Sequence, residues 1–405
     1  MKSLVVWMEG ERVGELVLKD NGNLQFRYDP AYAGPPISQS LPKQREAHPH
    51  AVTNAVFGGL LPEAEIRRAV ARNLGVSVEN DHALLAELGG DVAGALTLLE
   101  PGTEPATEPA TMALTSEEVD RLLTDLPQRP LAADPAEGVR LSLAGAQPKL
   151  PVIIEPDGTV ALPTSSAAAT THILKPEPAR FPGLVDNEAF CMDLAHACGL
   201  QAAAVRKART SSGLAYLVVE RYDRDLTVEP IRRLHQEDFC QALGRSSDTK
   251  YQAEGGPSVA EVVAVLRRAT SLPAQELPRF MQALAFNWLI GNCDAHAKNY
   301  SLLYDRGAPT LAPLYDLVST VVYDELTTRL AMSIDGARKI DEVTEHAWER
   351  LASEIRYRPT TMHAARATLL TRAAEQAQML TQQPEHDNDM AHRIADRVVR
   401  LARSS

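Results

Sequence analysis

Cysteine is scarce in this chain of 405 residues: Cys191, Cys198, Cys240 and Cys293 are the four. None form a Cys-x-x-Cys pair and none stand at zinc-finger spacing from a histidine, so buried free thiols are the favoured reading. Long apolar runs are missing too. No stretch approaches the ~20 apolar residues that span a bilayer. The run Met1-Lys2-Ser3-Leu4-Val5-Val6-Trp7 is too short for the apolar part of a signal peptide, and charge resumes at Glu9, Glu11 and Arg12. The expectation is a cytoplasmic protein with no membrane partner. An excess of basic charge is the third absence: 41 Lys and Arg against 53 Asp and Glu leave a net charge of −12. That argues against a broad basic surface for naked nucleic acid, but not against a DNA-binding partner or a local basic patch. Arg366, Arg372, Arg393, Arg397 and Arg400 offer one such patch and read first as solvated helix faces.

What is present is enough chain for two or three domains, with an ordinary apolar fraction of 44%. Residues 1 to 28 alternate as strands around turns at Glu9-Gly10-Glu11 and Asn21-Gly22, a small antiparallel meander. Val52 to Leu61 and Ala64 to Leu74 read as helices, the second capped by Gly75. The repeated Thr-Glu-Pro-Ala segment, with prolines at 101, 105 and 109, can be neither helix nor central strand and reads as a solvated linker. Thr115 and Glu118 form a capping box ahead of Val119, Leu122, Leu123 and Leu126. Hairpin signals follow at Pro156-Asp157-Gly158 and Ser211-Ser212-Gly213, with a helix from Ala189 to Cys198 between them. From about Leu234 the pattern is mostly helical, including a face of Phe280, Leu284 and Trp288. The expected fold class is therefore α+β, in an element order that a kinase-like two-lobe architecture shares with many other α+β proteins. An added N-terminal module covers residues 1–103, a linker 104–112, a β-rich N-lobe 113–224 and an all-α C-terminal lobe 225–405.

The segment Ile290-Gly291-Asn292-Cys293-Asp294-Ala295-His296-Ala297-Lys298-Asn299 follows that helix. Phosphoryl transfer needs a carboxylate beside the attacking hydroxyl and an oxygen donor for Mg²⁺, and protein kinases supply both as Asp-x-x-x-x-Asn on one loop. Asp294 fits the first role and Asn299 the second, with His296 and Lys298 adding polar density. Further on, Leu314-Tyr315-Asp316-Leu317 sets a carboxylate between apolar flanks, the setting of a second metal-binding acid. Lys175 ends a short strand and is a candidate for the α- and β-phosphates, with Glu188 as its possible partner. The candidate phosphate loop is Leu141-Ser142-Leu143-Ala144-Gly145-Ala146-Gln147-Pro148-Lys149, with one glycine rather than three; its small residues would let backbone N–H groups approach phosphate. Glu220 and Tyr222 follow the last β-rich strand, where adenine would be held.

These segments together resemble the HipA toxin kinase family. The match runs through Ser142-Leu-Ala-Gly-Ala-Gln147-Pro-Lys149, Thr171-His-Ile-Leu-Lys175, Asp186-Asn-Glu188 and Val219-Glu-Arg-Tyr-Asp-Arg224. It continues through His235-Gln-Glu-Asp-Phe-Cys-Gln241, Lys250-Tyr-Gln-Ala-Glu-Gly-Gly-Pro257, Asn287 to Ser301 and Leu314-Tyr-Asp-Leu317, and the N-terminal module resembles the family's as well. The resemblance implies an ATP- and Mg²⁺-dependent Ser/Thr protein kinase that phosphorylates an aminoacyl-tRNA synthetase and arrests growth. It implies a HipB-type antitoxin that binds the kinase and operator DNA. It also implies autophosphorylation of Ser142, which displaces the phosphate loop and silences the enzyme. By position it assigns Asp294 and His296 to catalysis, Asn299 and Asp316 to metal, and Ala144, Gly145, Ala146, Gln147, Lys149, Lys175, Glu220, Tyr222, His296, Lys298, Asn299 and Asp316 to ATP. Pro148 departs from the family pattern, which often has an acidic residue there. A lipid or small-molecule kinase and a non-catalytic DNA-bound corepressor are the competing readings.

Overall fold

The computed structural model describes residues 2–132, 140–305 and 307–404. Residues 133–139, inside the range expected for the β-rich lobe, lie outside the described residues. The chain divides into two compact units, one of Met1–Pro176, Ala208–Asp248 and Leu303–Arg306, the other of Glu177–Lys207, Thr249–Leu302 and Gly307–Ser405. The fold is α+β with two lobes. The N-terminal module and the β-rich sheet share the first unit, and the helix after Lys175 belongs to the second.

In the first unit the meander forms as expected. Lys2–Met8, Glu11–Leu18 and Leu24–Tyr28 pair antiparallel, and Leu96–Leu99 returns along the free edge of the first strand. Leu4, Val6, Val13, Leu16 and Phe26 pack with Phe57, Ile66, Val70, Leu84, Leu85 and Leu88 from three helices into one core. Gly75 ends the second helix in the left-handed region, at φ 67°. A larger sheet runs in the order Thr111–Leu114, Val160–Pro163, Leu150–Ile154, His172–Pro176 and Ala215–Glu220. The helix Ser116–Asp125 starts at the Thr115–Glu118 capping box and buries Val119 and Leu123 against Leu150, Val152, Leu174 and Val218.

The Thr-Glu-Pro-Ala segment is exposed, as a solvated linker should be, yet it is tied down. Ala106 N–H donates to Ser166 Oγ and Ala110 N–H to Ser165 Oγ, both at 2.9 Å, and Thr111 and Met112 already belong to the sheet. Composition carries no trace of serines that lie some 55 to 60 residues away in sequence.

One buried acid ties the module to the segment after the sheet. Glu237 is 1% exposed and accepts from Ser38 Oγ at 2.6 Å, Gln39 N at 3.0 Å and the Tyr304 hydroxyl. Burial outweighs these donors and lifts its carboxyl from 4.5 to about 7. A carboxyl raised by folding contributes most when protonated, so its contribution is whole below about pH 4.5 and lost as pH rises through about 7. The thermal midpoint of the protein should therefore fall between pH 5 and 8, while that of Glu237→Gln should fall less. Parallel profiles for the two proteins would remove Glu237 as the cause.

The second unit is built on the helices Leu184–Ala197, Val259–Ala269, Pro273–Ile290, Glu345–Glu354, Pro359–Leu380 and Asp389–Ser404. The first of these begins earlier than Ala189. Gly183, at φ 80°, opens it, and the Glu177 carboxylate accepts from Val185 N at 2.8 Å, a cap supplied from eight residues upstream. The expectation of an all-α C-terminal lobe over 225–405 fails at several places: short strands lie at Arg232–Arg233, His235–Asp238, Ser301–Tyr304 and Thr310–Leu311, and a hairpin follows them. Arg329–Ile334 and Ala337–Lys339 form a hairpin about Asp335-Gly336, both at positive φ, an Asp-Gly turn signal of the usual kind. Of the basic residues of the last helices, Arg372, Arg393 and Arg400 are exposed as expected, whereas Arg366 and Arg397 are held by the fold. Arg366 is buried with Trp288 and Trp348, 5.9 Å from each ring, and pairs with Glu345. Arg397 caps Pro273–Ile290 through the carbonyls of Leu289 at 3.1 Å and Trp288 at 3.2 Å. All four cysteines are free and buried. Among the described residues no helix is long and apolar enough to cross a membrane.

Candidate active site

The helix Pro273–Ile290 delivers the first loop. It starts with proline at its first position and stops at Gly291, which has φ 83°. A Cβ at Gly291 would come 2.3 Å from Val321 Cγ2 and 2.9 Å from Arg397 Nε, so glycine is required both for the backbone and for the space. The chain then turns at once. Asn292 Oδ1 accepts the Asp294 N–H at 3.0 Å, and its amide nitrogen donates to Asn287 Oδ1 at 2.8 Å. The Asp294 carbonyl accepts from His296 N at 2.7 Å and from Asn299 Nδ2 at 3.2 Å. Asn299 thus spends its amide nitrogen on the loop, which turns its amide oxygen away from that carbonyl. Asp294 is exposed, whereas His296 and Lys298 are buried in the same loop.

The second loop is carried by backbone pairing of Leu314 with Gln201 and Ala203, at 2.8 Å each. Asp316 has φ 58°, a left-handed backbone at a residue that is not glycine. Such conformations persist where the surroundings hold them and concentrate at functional sites. Tyr315 joins this loop to the first: its hydroxyl donates to the Lys298 carbonyl at 2.7 Å and lies 2.7 Å from Ser301 Oγ. Behind Asp316, Thr320 Oγ1 donates to the Gly291 carbonyl at 3.1 Å and accepts the Cys293 N–H at 2.9 Å. The buried amide of Asn187 bonds both the carbonyl and the N–H of Ser319, at 2.9 and 2.8 Å. Asp294, Asn299 and Asp316 therefore sit on two loops laced together, and Glu188 is buried on the helix next to Asn187.

Among the described residues no three His, Cys, Asp or Glu side chains are grouped to hold a metal alone. One carboxylate and one amide oxygen suit a hard cation that takes the rest of its shell from phosphate and water, and so fit Mg²⁺ carried with a nucleotide.

The remaining predicted residues lie in the first unit. Ser142 is fully buried; its hydroxyl donates to the Leu60 carbonyl at 2.7 Å and its N–H to the Asp91 carbonyl at 2.9 Å. Gly145, at φ 118°, bonds Glu63 through its carbonyl at 3.2 Å, and Lys149 Nζ folds back onto the Ala144 carbonyl at 2.7 Å. The N-terminal module thus shapes the loop of Ala144, Gly145, Ala146, Gln147 and Lys149. Lys175 is buried in its strand opposite Leu217. Glu220 is exposed at the end of its strand, and the Tyr222 hydroxyl donates to Gln236.

Around Glu220 and Tyr222 lies a feature that the sequence does not announce. Asp91 and Asp223 are buried with Arg221 and Arg224, and the partly exposed Arg233 adds a third guanidinium beside Asp91. Arg224 reaches Asp91 at 2.7 Å and Asp223 at 3.1 Å, and Arg221 reaches Asp223 at 2.7 Å. Burial alone would raise the Asp91 carboxyl, but the guanidiniums of Arg224, Arg233 and Arg221 hold it well below the usual carboxylate range. Asn187, Asn287, Asn292, Tyr251 and Tyr315 were missed as well. A sequence signal existed for Asn287 and Asn292, four residues before and one after the glycine that ends the helix, but single polar residues carry no period.

Comparison with known proteins follows the same residues. The model described as HipA-like C-terminal domain matches residues 141–381, and that described as HipA N-terminal domain matches 4–99. Y4mE of Sinorhizobium fredii (strain NBRC 101917 / NGR234), a protein with a provisional kinase name, is 43% identical over 99% of both chains. The serine/threonine-protein kinase toxin HipA of Shewanella oneidensis is 32% identical over 80% of this chain and 76% of its own. The solved complex of Shewanella oneidensis MR-1 HipA, HipB and operator DNA superposes with a TM-score of 0.86 at 25% identity, covering 99% of this chain and 97% of that one. With both family models matched in order and a relative aligned end to end, the chain belongs to the HipA family of kinases.

Proposed function

We propose that this chain is an ATP- and Mg²⁺-dependent Ser/Thr protein kinase and the toxin of a cytoplasmic toxin–antitoxin pair. The observation that carries the proposal is the lacing of Asp294, Asn299 and Asp316 through Asn292 and Tyr315. The acceptor hydroxyl oxygen attacks the γ-phosphorus, its proton passes to Asp294, and the bond to the bridging oxygen breaks to release ADP. Asp316 and the Asn299 oxygen would hold Mg²⁺, which neutralises charge on the β- and γ-phosphates. Ala144 to Gln147 offer backbone donors to phosphate, with Lys149 and Lys175 as cations. Glu220 and Tyr222 face adenine, and His296 and Lys298 complete the nucleotide side of the loop. The acceptor is a translation protein, an aminoacyl-tRNA synthetase, so that activity arrests growth and leads to persistence. A HipB-type antitoxin silences the kinase and brings it to operator DNA; the solved complex of a relative with HipB and DNA supports this pairing.

Autophosphorylation of Ser142 is the second silencing device. A phosphate on Oγ is incompatible with the bond to the Leu60 carbonyl, so modification and the packed loop exclude each other. Purified protein given labelled ATP and Mg²⁺ should carry label on Ser142 by mass spectrometry, and Ser142→Ala should not silence itself. Activity without label on Ser142 removes the switch; absence of ATP turnover in folded, unphosphorylated protein removes the kinase.

A further inference from the structure

Asp294 is exposed on a loop, and an exposed carboxylate has free rotation unless something holds it. The hydroxyl of Tyr251 donates to Asp294 Oδ1 at 2.7 Å, from a turn that lies 43 residues earlier. That turn is tightly constrained. The Tyr251 carbonyl accepts from Glu254 N and Gly256 N, both at 2.9 Å. At Gly256 a Cβ would come 2.4 Å from the Thr249 carbonyl oxygen, so no larger residue closes the turn. Gln252 Oε1 accepts from Ser333 N at 2.7 Å and Ser333 Oγ at 3.0 Å, which anchors the turn to the strand Arg329–Ile334. The tyrosine ring stands edge-on to His296, with centroids 5.6 Å apart, and Lys250 Nζ lies 5.6 Å from its centre. A rigid turn, a side-chain anchor and a packed ring converge on the placement of one hydroxyl.

We propose that Tyr251 is a positioning residue for phosphoryl transfer. Its O–H holds the Asp294 carboxylate in one orientation through Oδ1, the orientation in which that carboxylate takes the acceptor's proton. The inference rests on Asp294 being the catalytic carboxylate of a kinase. It makes the turn 250–257 part of the machinery, although it lies on neither catalytic loop.

The test is ADP production by the full chain from Mg²⁺ and ATP, with wild type, Tyr251→Phe, Tyr251→Ala, Gln252→Ala and Asp294→Asn side by side. Tyr251→Phe keeps the ring against His296 and loses only the hydroxyl. It should lower kcat about tenfold with the KM for ATP and the thermal midpoint unchanged, since small misplacements of a reacting group have effects of this size. Gln252→Ala, which frees the turn, should lower kcat in the same direction. A Phe variant equal to wild type beside an impaired Ala variant would make the role one of packing and overturn the proposal. A faster Phe variant would mean that the hydroxyl competes with the acceptor, which also overturns it. Wild type no faster than Asp294→Asn would instead sink the kinase reading beneath it.

Discussion

Asp294→Asn should lower phosphoryl transfer by roughly a thousandfold, the range expected for removal of a general base, while the fold and ATP binding persist. The amide is isosteric with the carboxylate. Its oxygen still accepts from Tyr251, and the Asp294 backbone bonds to Asn292, His296 and Asn299 do not involve the side chain. What is lost is the negative charge that takes the proton. Isothermal titration with ATP and Mg²⁺, run beside the rate assay, separates the effects. Lost binding would mean that Asp294 acts on the nucleotide rather than on the acceptor, and an unchanged rate would remove it from the chemistry.

Asp91→Ala should have the largest effect on stability. Asp91 accepts from Arg224, from Thr170 N at 3.0 Å and from Thr170 Oγ1 at 2.6 Å, in a place where it is 2% exposed. Its removal leaves a fully buried Arg224 with Asp223 as its remaining carboxylate. Breaking one partner of a buried ion cluster costs about 3–5 kcal/mol. For a unit of this size that corresponds to a fall of about 10 °C in the thermal midpoint. Asp91→Asn, which keeps the shape and some hydrogen bonds, should fall between. Because the cluster fixes the exit of the strand that carries Glu220, nucleotide affinity should drop with stability. A shift below about 2 °C would show that the guanidiniums find other partners. The sign follows from desolvation: the same five charged groups replaced together by apolar ones need not be destabilising, but one missing carboxylate is.

Much of the local structure was legible because it is written in short-range terms. The meander of residues 2–28, the Thr115–Glu118 capping box, the helix Ala64–Leu74 with Gly75 and the Asp294 to Asn299 spacing each depend on neighbours within one or two turns. What was not legible shares a cause. Helix Leu184–Ala197 was read short because its cap comes from Glu177, and the anchoring of the exposed Thr-Glu-Pro-Ala segment stayed hidden because its partners are Ser165 and Ser166. Arg366 and Arg397 looked solvated because their partners are tryptophans and helix-end carbonyls distant in sequence.

The sequence by itself determined which residues can do phosphoryl chemistry, since carboxylate, amide, lysine and small-residue loops are chemical identities that folding does not alter. Only the tertiary structure decided which of them are held and by what. Tyr251 on Asp294, Tyr315 on Lys298, Asn187 on Ser319 and the N-terminal module on the Ser142 loop are contacts between segments far apart in the chain. Such contacts depend on one side-chain hydroxyl or amide meeting one backbone or carboxylate group, and a single polar residue leaves no periodic trace by which it could be read beforehand.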